Sequence, residues 1–115
     1  MQYEGSCHCG EVHFKVDVDL SNPITCNCSY CQRRGSILAF TPADNFELEK
    51  GEEKLTEYRF NKKKIQHLFC SVCGMQSFAR AVAPDGTDTV AVNVRCLEGV
   101  DIESLKPTLF DGRSR

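Results

Sequence analysis

Long apolar runs, a basic surplus and sustained helical periodicity are all missing from this 115-residue chain. No apolar stretch approaches the ~20 residues needed to span a bilayer. The first residues, Met1-Gln2-Tyr3-Glu4-Gly5-Ser6, lack the basic start and apolar run of a secretion signal. The expected setting is therefore a soluble, reducing cytoplasm with no membrane partner. A formal net charge of −2 and no basic tail argue against a nucleic-acid partner. No G-x-G-x-x-G fingerprint is present, which counts against hydride chemistry on a dinucleotide. Nor is there a fixed-period repeat or a low-complexity linker, so residues 1–115 are expected to form one domain with one modest core.

What is present reads as strand. Val12, Phe14, Val16 and Val18 alternate with Glu11, His13, Lys15, Asp17 and Asp19, the period of a half-buried strand. Ser36 to Phe40, Phe46 to Glu49, Leu55 to Phe60, Ile65 to Phe69, Ser77 to Val82 and Thr89 to Val94 are strand-length and rich in β-branched or aromatic residues. Turn residues separate them at Ser21-Asn22-Pro23, Lys50-Gly51-Glu52, Asn61-Lys62-Lys63-Lys64 and Pro84-Asp85-Gly86. The fold class is all-β, with one short helical turn capped by Asp101 and stopped before Pro107.

Cysteine is the abundant exception. Seven of the eight lie in three clusters: Cys7-His8-Cys9, Cys26-Asn27-Cys28-Ser29-Tyr30-Cys31 and Cys70-Ser71-Val72-Cys73-Gly74. Neighbours one or two residues apart are poorly placed for a disulfide, and a reducing compartment disfavours a disulfide framework. They suit thiolates converging on metal. The Cys70-x-x-Cys73-Gly74 knuckle needs a second pair, either Cys7 with Cys9 or two of Cys26, Cys28 and Cys31. Choosing Cys7 with Cys9 leaves a trio that can occupy three corners of a tetrahedron. Two zinc ions per chain follow, one closed by four sulfurs and one with an open position for chemistry. An iron–sulfur cluster is the rival occupant, but common clusters require four cysteines at other spacings. A soft, open, thiolate-rich site favours a sulfur-containing ligand.

Gly5-Ser6-Cys7-His8-Cys9-Gly10, the run from Cys26 through Arg33-Arg34-Gly35-Ser36, and Phe69 to Gly74 with Phe78 resemble the glutathione-dependent formaldehyde-activating enzyme family, which also includes centromere protein V. Val92-Asn93-Val94-Arg95-Cys96-Leu97-Glu98 and Phe110-Asp111-Gly112 resemble its closing segments. The resemblance implies a β-tent of twisted antiparallel sheets. It implies a structural zinc on Cys7, Cys9, Cys70 and Cys73 and a catalytic zinc on Cys26, Cys28 and Cys31. The activity it implies is carbon–sulfur lyase chemistry: a small thiol such as glutathione adds to an aldehyde such as formaldehyde, giving an S-hydroxyalkyl thiol. A non-catalytic zinc-stapled binding module is the alternative.

Other residues are weighed beside the clusters. Arg33 and Arg34 follow the trio and match ligand carboxylates, although neutralising thiolate charge is the plainer role. Lys62, Lys63 and Lys64 read as a solvated hairpin tip. His8 and His13 read as bystanders, and neither they nor His67 is needed as a ligand. Cys96 reads as a small buried hydrophobe, with reversible ligation of the trio metal as the alternative. Tyr30 reads as packing, with a proton donor or part of a substrate wall as the alternatives.

Overall fold

A computed structural model of the chain describes residues 1–60 and 65–114. The turn expected at Asn61-Lys62-Lys63-Lys64, with its lysine tip, lies outside the described residues. Two sheets face each other. The smaller has strand order β1 (Gln2–Ser6), β2 (His13–Asp17), β5 (Phe46–Lys50). The larger runs β10 (Thr108–Phe110), β3 (Ile24–Cys26), β4 (Leu38–Pro42), β9 (Asp88–Asn93), β8 (Phe78–Val82), β7 (Gln66–Cys70), β6 (Leu55–Tyr58). Every pairing is antiparallel except β10 with β3, which is parallel. The mainly β fold expected from the sequence is present, with this one mixed edge.

The alternation along β2 does what its period implies. Val12, Phe14, Val16 and Val18 are buried, while His13 and Lys15 lie half-exposed on the outer face. Phe14 meets Phe46 and Phe78 at ring-centroid distances of 5.0 and 5.9 Å, and Val90, Val92 and Val94 complete the core between the sheets. Burying a Phe or Val side chain fully contributes on the order of 1.5–3 kcal/mol. Opposite Phe14 in the β1–β2 register stands Gly5, where a Cβ would come 2.4 Å from Phe14 Cζ. The ring fills the space that the glycine leaves.

Three strands escape sequence patterning. β3 and β10 are three residues each and β1 is largely polar, so none shows a readable period. The sequence places Cys26 to Cys31 at the opening of a strand, ahead of Ser36 to Phe40; instead Cys26 closes β3, and the chain then winds into α1 (Ser29–Arg34). Cys28 is the N-cap: its backbone is extended and its sulfur accepts the Cys31 N–H at 3.3 Å. Gly35 ends the helix at φ 73°, its N–H bonded to Cys31 O. Six residues are too few for helical periodicity, but cap and stop are both written in the sequence. The expected turn at Asp101 is a 3₁₀ turn over Ile102–Ser104, with the Asp101 side chain accepting the Glu103 N–H at 3.2 Å. No described helix is long and apolar enough to cross a membrane.

Candidate metal centre

All eight cysteines are free thiols, and seven of them gather into two sets. Cys7, Cys9, Cys70 and Cys73 form one, Cys26, Cys28 and Cys31 the other, with the sulfurs of each set within 4.8 Å of one another. The four-sulfur set joins two tight turns, one between β1 and β2 and one after β7. Cys7 N–H bonds Val12 O, and Gly74 N–H bonds Cys70 O at 2.8 Å with Gly74 at φ 78°, a conformation suited to glycine. Cys7 and Cys70 are buried at strand ends, and the Cys9 side is open. Backbone N–H groups of Val12 and Val72 point at Cys7 and Cys70 sulfur, each at 3.4 Å.

These distances test metal against disulfide. Sulfurs held ~2.3 Å from a tetrahedral zinc stand ~3.8 Å apart, whereas a disulfide closes to ~2.05 Å. Cys7 to Cys9 and Cys9 to Cys70 are both 3.6 Å. The set fits a metal.

Electrostatics agree. Burial resists ionisation of Cys73, but N–H groups of Cys9 and Met75 and the sulfurs of Cys7 and Cys70 outweigh it and bring the thiol down to about 6. Cys9 is the converse: the Glu11 N–H favours its thiolate, yet desolvation and sharing with the other three sulfurs push it up to about 12. In the trio, Cys28 is lowered, since N–H groups of Cys31 and Tyr30 and the neighbouring sulfurs overcome burial. Cys31 is raised by burial and by Cys28 and Cys26 beside it. In each set one thiol is lowered and another raised, and a bound dication would favour the thiolate form of both.

Among the described residues no fourth cysteine, histidine or carboxylate joins the trio. Cys96 is not part of it. Its half-buried sulfur lies 3.9 Å from Gln76 O, and burial pushes its thiol up. His8 is exposed and belongs to neither set. His13 sits between Glu49 at 2.8 Å and Glu4 at 3.7 Å, with Lys15 also on Glu49, which is a surface ion-pair network. His67 is buried beneath α1, where Tyr30 packs on it at 4.4 Å and on Phe60 and Tyr58 at 5.2 and 5.6 Å. The Tyr30 hydroxyl donates to Gln76 Oε1. Tyr30 is therefore anchored to the stretch that follows the Cys70–Gly74 turn.

The two arginines part company. Arg33 donates to Ser29 O within its own helix at 2.8 Å. Arg34 lies over the Tyr30 and Phe69 rings, donates to the Tyr30 hydroxyl at 3.2 Å and to Gly74 O at 2.8 Å, and so braces α1 against the knuckle.

Sequence reasoning missed the chain that lies across the trio. Gly112 passes so close that a Cβ there would come 2.6 Å from Cys26 Sγ and 3.2 Å from Cys28 Cβ. Asn27 ties this segment down: its N–H bonds Phe110 O, its Nδ2 donates to Asp111 Oδ1, and its Oδ1 accepts the Arg113 N–H. The Asp111-Gly112 dipeptide was visible, but nothing local says which cysteine it meets.

A mainly β scaffold carries a four-sulfur set at strand ends and a three-sulfur set on a helix cap, two thiol clusters that could each hold a metal ion. A profile of the glutathione-dependent formaldehyde-activating enzyme family matches residues 2–110, and the chain belongs to that family. The crystal structure of a Rhodobacter sphaeroides protein superposes with a TM-score of 0.82 at 32% sequence identity, covering 92% of this chain and 97% of that one.

Proposed function

We propose that the chain is a zinc-dependent carbon–sulfur lyase-type enzyme that adds a small glutathione-like thiol to a formaldehyde-like aldehyde, with zinc on both sulfur sets. The family supplies the glutathione-dependent, formaldehyde-activating class. The observation that carries the reading is the trio itself: three sulfurs within 4.8 Å and no fourth side-chain donor among the described residues. Zinc held there would supply a Lewis acid that acidifies a thiol or polarises a carbonyl.

The chain's own residues set the stage. The Cys28 cap and the Cys31 N–H fix two sulfurs on the first turn of α1. Tyr30 with Tyr58, Phe60 and His67 packs a ring cluster against one side of that helix. Arg33 offers charge for a ligand carboxylate, and Arg34 holds the helix in place. In the net reaction a sulfur–carbon bond forms, the carbonyl π bond breaks, and the thiol proton ends on the former carbonyl oxygen. No electron carrier is needed.

Thiol and aldehyde also combine without help, so the rate and not the yield is the test. NMR exchange between free and hydroxymethylated glutathione should be faster with wild type than with Cys28→Ser. Equal rates across several thiols and aldehydes would leave a zinc-stapled binding module.

A further inference from the structure

Four exposed arginines surround the six-residue helix that carries the trio: Arg33 and Arg34 on it, Arg95 bonded to its Gly35 C-cap carbonyl, and Arg113 bonded to its Gln32. Each is anchored to a neutral acceptor: Ser29 O for Arg33, Gly74 O for Arg34, Gly35 O for Arg95 and Gln32 Oε1 for Arg113. Among the described residues none of the four forms a carboxylate salt bridge, although Asp111 feels the charge of Arg113 beside it. In a chain of net charge −2, where carboxylates outnumber lysines and arginines, such a group of guanidiniums without a salt-bridged carboxylate is an anion-facing surface.

Arg113 is tied to the trio through both its backbone and its side chain. It follows Gly112, which rests on Cys26 Sγ, and its Nη2 donates to Gln32, which follows Cys31. Asn27, between Cys26 and Cys28, accepts its backbone N–H at 2.9 Å. Side chain and backbone are thus both fastened to residues adjacent to trio cysteines. Resting on the reaction assigned above, we propose that the segment Asp111–Ser114 is part of the thiol-binding site and that Arg113 is a specificity-determining residue, which reads a carboxylate on a thiol whose sulfur approaches the Cys26, Cys28, Cys31 centre. The segment lies against two of the three cysteines, so a thiol arriving at the trio passes beside it. Simple charge balance for the thiolates would demand an arginine nearby, but not one that distinguishes an acidic thiol from its neutral ester.

That distinction is the experiment. The zinc-loaded full chain is titrated calorimetrically with glutathione and with glutathione diethyl ester, in wild type, Arg113→Gln and Arg113→Lys, after zinc content has been matched. Wild type should prefer the acid. Arg113→Gln should weaken glutathione by about tenfold, the scale of one lost charge-assisted hydrogen bond, while the diester changes by less than about twofold and Arg113→Lys falls between. Steady-state exchange should show the loss in KM and not in kcat. Equal binding of both thiols by wild type, or equal weakening of both in Arg113→Gln, would overturn the role of Arg113 and leave the reaction standing. Wild type that binds neither thiol at millimolar concentration would overturn both.

Discussion

Cys28 and Cys73 are the same residue type with opposite structural debts. Cys73 sits in a turn whose partners come from both sheets, so losing it opens the set that joins β1 to β7. A structural zinc contributes on the order of 10 kcal/mol of apparent binding energy, comparable to the whole net stability of a domain, about 5–15 kcal/mol. Serine at position 28 remains a good N-cap, so α1 can persist without its metal. Cys73→Ser should therefore melt far lower than Cys28→Ser in thermal scans, with Cys28→Ser folded but inactive. Equal melting of the two would erase the division into closed and open centres. At His67, burial, with Arg34 nearby, lowers the ring's proton affinity in the native state. The unfolded chain takes up that proton as pH falls through ~6.5, the native state only at lower pH, so this group favours folding above ~6.5 and the advantage is lost as pH falls toward the lowered native value. His67→Phe, which keeps an aromatic ring against Tyr30, should show a shallower fall in Tm between about pH 7 and pH 5.

Among the elements, the β5–β6 turn and the segment after β10 carry the tightest glycine contacts beyond the core. Gly51, at φ 98°, would put a Cβ 2.2 Å from Glu11 O. Gly51→Ala should cost roughly 1–3 kcal/mol or more, since both a strained backbone and a clash with main chain arise; an unchanged denaturant midpoint would show that the β5–β6 turn yields freely. Gly112→Ala tests the strap. Its Cβ would displace the segment from Cys26, so the trio metal should leave faster to a chelator while far-UV circular dichroism stays unchanged. Identical release rates would mean that the segment gives no cover to the sulfurs.

For the whole molecule the two sulfur sets imply a two-step metal inventory. Fully loaded protein should carry two zinc ions, one removed by mild chelation with the fold intact and the second only as the chain unfolds. A single ion per chain by metal analysis would remove the open centre.

The core face of β2, the knuckle at Cys70 to Gly74 and the Asp101 turn were legible because each depends on neighbours a few residues away. Phe14 turns inward by strand period, Gly74 closes its own turn, and Asp101 caps its own N–H groups. Chain-local chemistry also marked seven cysteines as candidate metal ligands, and the fold gathers those seven into two sets. What the sequence alone left open was decided by pairings across long stretches of chain. Cys7 and Cys9 lie beside Cys70 and Cys73 because β1 and β7 end at the same place. Arg34 points to the knuckle and not to the trio because Gly74 O and the Phe69 ring stand there. Gly112 lies on Cys26 because β10 adds in parallel to β3, carrying the segment beyond residue 110 over the cysteine that ends β3. Local spacing determines which side chains can share a metal; the order of strands in the sheet determines which distant backbone covers it.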